Sequence, residues 1–155
     1  MKQQEIIDNA YDLFGSFKRP SLFTLLSEDD DDPECRDHDN SLKGALVHTL
    51  SISQIGPGGY SPIPLFTPQA MAYFLPRLIE FAVRNVDDSN NEPFIVRFIN
   101  STLSGPNHKQ FKLLNAKQQE AIYQTLLYAK ENYYDVIEET CWEQGLEIAL
   151  NKWKK

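Results

Sequence analysis

A chain of 155 residues, 41% of them hydrophobic and 24% charged, with nine Pro and seven Gly, has the composition of one ordinary globular domain. At this length folding buries roughly 70% of the surface the unfolded chain exposes, so a core forms without disulfides or a structural metal. The 12% aromatic content excludes collagen-like and largely disordered classes, and a net charge of -7 argues against a nucleic-acid partner, whose phosphates need a basic face.

Charge is unevenly placed, with five Lys/Arg against eleven Asp/Glu in residues 1–66 and ten against eleven in residues 67–155. Cys35 and Cys141 are far apart in sequence and form no disulfide or zinc pattern, which fits reduced thiols in a cytoplasmic protein. The first residues, MKQQEIIDNAYDLF, put polar and acidic groups where an export signal needs an apolar run. The most apolar region, Ala70 to Val83, is interrupted by Pro76, Arg77 and Glu80 and is too short to span a bilayer, so no membrane partner is expected.

Ile6, Ile7, Ala10, Tyr11 and Phe14 recur on one helical face and predict a first helix ending near Gly15. Arg19-Pro20 breaks it, and Ser21 to Leu26 reads equally as a strand or as loop laid on the core. Residues 27–40 form an acidic, exposed loop and helix start: Glu28, Asp29, Asp30, Asp31 and Asp32 repel one another, Asp32 caps, and Pro33 occupies the first helical position. That second helix is expected to run to about Val47. Residues 51–66 are a Pro/Gly-rich irregular connection.

Thr67-Pro68 is a strong helix start, and the apolar residues from Ala70 to Val83 cover most of the circumference, so this helix is expected at the centre. Pro76 in its interior predicts a kink. Pro93 opens a short helix with Phe94, Ile95, Phe98, Ile99 and Leu103 on one face, and Asn115 with Gln118 forms a capping box for the next. A final helix carries Val136, Ile137, Trp142, Leu146, Leu150 and Trp153, after a break around Asn132 to Asp135. Tyr133 and Tyr134, being adjacent, cannot both face the core of one helix. The expected fold is mainly all-α: a single domain over residues 1–155, with five or six helices around a central kinked one. One short strand pair around Leu22–Leu25 or Ala45–Ile52 is a lesser alternative.

No stretch carries a specific chemical motif. Calcium-loop spacing fails from both Asp29 and Asp37, and Cys35, His38 and His48 with Asp37 or Asp39 make only one loose pair of ligands, so no metal or other cofactor is implied. GPGGY at 56–60 lacks the Lys and Ser/Thr of a phosphate-binding loop.

The segment PLFTPQAMAYFLPRLIEFAV at 64–83, with its Tyr73-Phe74-Leu75-Pro76 step, the helix start Leu114 to Gln118 and Trp153, resembles an uncharacterised bacterial family of unknown function. The likeness covers roughly residues 30 to 155. That family has no established activity, so the resemblance implies no site.

Two functions are carried forward. One is a non-enzymatic interaction module of immunity or regulatory type, whose acidic segment Glu28 to Asp32 meets a basic protein partner. The other is an enzyme or small-molecule binder with a pocket at Tyr60, Tyr73 and Pro76 and the 56–64 loop as its lid.

Overall fold

Apolar periodicity and local caps produce eight α-helices among the described residues of the computed structural model, which are 2–24 and 32–155. They are α1 (Gln3–Phe14), α2 (Pro33–Leu42), α3 (Ile52–Ile55), α4 (Pro68–Arg84), α5 (Phe94–Thr102), α6 (Ala116–Asn132), α7 (Tyr134–Glu139) and α8 (Glu143–Trp153). Two 3-10 turns, Ile63–Leu65 and Lys109–Phe111, join them, and pairing between strands is limited among the described residues to isolated bridges at Thr24 with Phe66 and Asp87 with Pro93. The chain is a single all-α domain.

The central helix is α4. Thr67 accepts a hydrogen bond from the Ala70 backbone and Pro68 stands at the first position, as their sequence predicts. Buried residues surround most of the helix, which packs against α1, α5, α6 and the Lys109–Phe111 turn. It continues through Pro76 and ends at Asn85, which takes a left-handed conformation (φ 49°).

Three expectations are corrected. The second helix stops at Leu42 instead of Val47, because the carbonyls of Leu42, Lys43 and Ala45 are taken by the Arg19 guanidinium. The final helix divides into α7 and α8, with Cys141 at φ 63° in the corner between them. The connection after Ser51 contains α3, whose cap pairs Ser51 with Gln54 reciprocally. Eight helices therefore stand where five or six were expected.

Buried amides fasten these elements. Gln110 Nε2 donates to the carbonyls of Ile63 and Phe66, and Gln118 Nε2 donates across the domain to Leu13. The Tyr133 hydroxyl donates to the Val83 carbonyl at 2.5 Å while Tyr134 stays exposed, so the two tyrosines do part.

Between α1 and α4 the Tyr11 hydroxyl donates to Glu80 Oε1 at 2.7 Å, and Arg77 and Arg84 hold the same carboxylate at 2.9 and 3.1 Å. Burial raises the Glu80 carboxyl, but hydrogen bonds from Tyr11, Arg77 and Arg84 outweigh it and hold the group below its ordinary value. The unfolded chain therefore takes up this proton first as pH falls. Glu80 contributes stability above the ordinary glutamate value of about 4.3 and loses it below. Urea unfolding at neutral and at acid pH is expected to show a smaller acid-induced loss in Glu80→Gln than in the native chain; equal losses would remove Glu80 as a source.

Candidate functional site

The candidate surface is built around the tight turn after α3. Gly56 takes φ 71°, and a Cβ there would lie 2.6 Å from the Tyr60 carbonyl oxygen, so only glycine closes the turn. Arg97 from α5 holds the turn from beneath, donating from Nη1 to the Gly56 carbonyl at 2.7 Å. Tyr60 holds it from the other side, its hydroxyl donating to Asp37 Oδ2 at 3.2 Å and its ring lying 4.7 Å from that of His38.

On the α2 side Asp32 and Asp37 are exposed and Glu34 is partly so. Asp32 caps its helix through the Glu34 and Cys35 backbone N–H groups, as the sequence predicts. Asp39 is engaged in structure instead, accepting from the Phe23 and Thr24 backbone and so fixing the 21–24 segment as loop on the core. Glu28, Asp29, Asp30 and Asp31 lie outside the described residues. His38 is buried, with Nε2 at 3.5 Å from Glu34 Oε1, whereas His48 stacks on Tyr11 elsewhere. Among the described residues no three His, Cys, Asp or Glu side chains are grouped to hold a metal ion.

On the α5 side lies a cavity of about 190 Å³ whose walls include Gly58, Ser61, Glu92, Arg97, Asn100 and Trp142. Trp142 reaches it by folding back over Gly145, where a Cβ would stand 2.7 Å from the indole. Behind the cavity Asp88, fully buried, accepts from the Asn90 and Glu92 backbone through Oδ1, while its Oδ2 is 3.6 Å from Arg97 Nη1 and has no hydrogen bond. Burial pushes the Arg97 guanidinium down from its ordinary value, against the pull of Asp88 and Glu92.

Of the predicted pocket residues, Tyr73 and Pro76 come together and Tyr60 does not join them. Tyr73 and Pro76, one turn apart on α4, face α1 and line a cavity of about 150 Å³ with Tyr11, Phe14, Phe17 and His48. Tyr60 belongs to the turn over α2, and the 58–64 stretch lines the Arg97 cavity instead of covering Pro76. Sequence reasoning passed over Arg97 and Asp88. The available signal was a charge inside the apolar stripe of α5, between Phe94 and Phe98, shortly after an acid-rich turn.

The fold and this surface define an all-α domain in which one glycine turn joins an acidic helix to a small charged cavity. No protein-family model, no curated protein and no solved structure matches the chain. No described helix is long and apolar enough to cross a membrane.

Proposed function

We propose that this domain is a non-enzymatic interaction module that meets a basic protein partner through the acidic surface of α2 and the segment leading into it. The observation that carries the reading is charge segregation. Residues 28–39 hold eight acids against Arg36 alone, and the other fourteen acids and fourteen Lys/Arg of the chain cancel. The whole net charge thus sits in twelve consecutive residues. Neither Asp32 nor Asp37 is in an ion pair among the described residues. Such a concentration steers an oppositely charged surface toward one face and speeds its docking. Residence in the cytoplasm, with both thiols reduced, belongs to the same reading. The resemblance to the bacterial family of unknown function adds no activity to it.

The test uses the native chain and a variant carrying Asp29→Asn, Asp30→Asn, Asp31→Asn and Asp32→Asn as baits for host proteins at low and high salt. Asparagine caps a helix as well as aspartate does, so α2 keeps its start. A basic protein should be recovered at low salt, and its association should slow by ~10-fold or more in the variant, with the difference shrinking as salt screens the charges. Equal association kinetics, or recovery of no basic protein at low salt, would retire the proposal.

A further inference from the structure

The cavity beneath the glycine turn has features that the acidic surface does not explain. Arg97 is 9% exposed, yet only Nη1 is engaged, by the Gly56 carbonyl and, more distantly, by Asp88. Its Nε and Nη2 donate to no described residue, and neither is among the sealed polar atoms that lack a partner. Taking a guanidinium out of water is costly, and here two nitrogens on one edge of a buried one, which lies over the Phe94 ring, make no hydrogen bond to a described residue although the side chain lines a cavity. That edge is the planar fork which pairs with a carboxylate through two parallel hydrogen bonds. Asp88, the counter-ion, approaches Nη1 at 3.6 Å without a hydrogen bond and does not line the cavity.

The cavity wall also carries the opposite charge. Glu92 is exposed at the rim, its Oε2 lying over Gly58, and its backbone N–H is fixed by Asp88. One small space is therefore lined by a cation with free donors and by an anion, with Trp142 and Val96 as apolar walls and Asn100 and Ser101 as polar ones. The volume of this space is about 190 Å³. Its opposite charges suit a small ligand that carries both a carboxylate and an ammonium. A second cavity of about 170 Å³ shares Ile63, Pro64, Asn100 and Ser101 with it and is lined by His108 as well.

We infer that this cavity binds a free amino acid, with the ligand carboxylate on the Nε and Nη2 edge of Arg97, its ammonium on Glu92, and its carbon skeleton against Trp142 and Val96. The inference does not rest on the acidic surface, and each can fail without the other. A simple anion is disfavoured because Asp88 and Glu92 together outweigh Arg97 in charge.

Isothermal titration of the full chain tests this, using the twenty L-α-amino acids, β-alanine and γ-aminobutyrate, each to about 10 mM, the weakest binding worth assigning. The N-acetyl and amide derivatives of any binder serve as controls, because each removes one of the two charges. Expected is saturable binding of at least one free amino acid, weakened ~10-fold or more by either modification. Glu92→Gln, at an exposed position, should weaken the amino acid by a similar factor while leaving its amide-blocked contrast on the Arg97 side in place. Arg97→Lys keeps the charge but loses the planar fork, so it should weaken the contrast between the free acid and its amide. Because Arg97→Lys can also disturb the fold, Glu92→Gln with an unchanged melting temperature is the deciding variant. Absence of binding across the panel, or binding that survives both N-acetylation and Glu92→Gln, would overturn the inference.

Discussion

Trp153→Ala is expected to destabilise the domain by ~3–5 kcal/mol. Trp153 is 1% exposed near the end of α8, and it meets the Phe111 ring edge-on at 5.1 Å. Its indole N–H donates to the Thr102 carbonyl at 2.7 Å, so one residue ties α8 to the end of α5 and to the turn before α6. Removing the ring leaves a cavity between three elements, and the Thr102 carbonyl keeps only its bond from the Gly105 N–H. Trp153→Phe separates the two losses: it retains most of the packing and gives up one hydrogen bond, at a cost of ~0.5–1.5 kcal/mol, because the Thr102 carbonyl keeps the Gly105 N–H. Urea unfolding of the three proteins measures both. A loss under 1 kcal/mol for the alanine variant would show that α8 adds little to the core.

Asp88→Ala is expected to cost ~3–5 kcal/mol, because it strands the Arg97 guanidinium without its buried counter-ion. The same change removes the acceptor of the Asn90 and Glu92 backbone N–H groups and so loosens the turn that bridges back to Pro93. A charge left alone is the larger part of this cost, which gives the prediction a sharp form. Adding Arg97→Met to Asp88→Ala should restore part of the stability lost by the single variant, since replacing both members of a buried pair is often close to neutral. A double variant less stable than Asp88→Ala alone would show that the hydrogen bond from Arg97 to Gly56 outweighs the ion pair.

The parts of the fold that could be read in the sequence are those written by neighbours in the chain. Thr67 with Pro68, Asn115 with Gln118, and Asp32 with Pro33 are local caps, and each forms where its spacing predicts. The burial of α4 follows from its apolar circumference in the same way. What escaped depends on partners distant in sequence. Arg19 reaches the carbonyls that close α2 from more than twenty residues away, so no pattern around Lys43 announces the stop. The candidate cavity joins Arg97 to Gly56 across 41 positions, and Tyr60 was drawn to Asp37 instead of to Tyr73 and Pro76. Tyrosine count and a proline step told which side chains are large. They did not tell which helix each would lean on.

Gln118 has a consequence for how the molecule comes apart. Its Oε1 accepts from the Asn115 backbone and closes the start of α6, while its Nε2 donates to Leu13 near the end of α1, 105 positions earlier. One buried amide thus completes a local cap and a long-range clasp, and its orientation suits both only when α1 is docked. The start of α6 and the end of α1 are thereby made parts of one cooperative unit. An opening that releases the first helix also takes away the long-range partner of the amide that closes the start of the sixth.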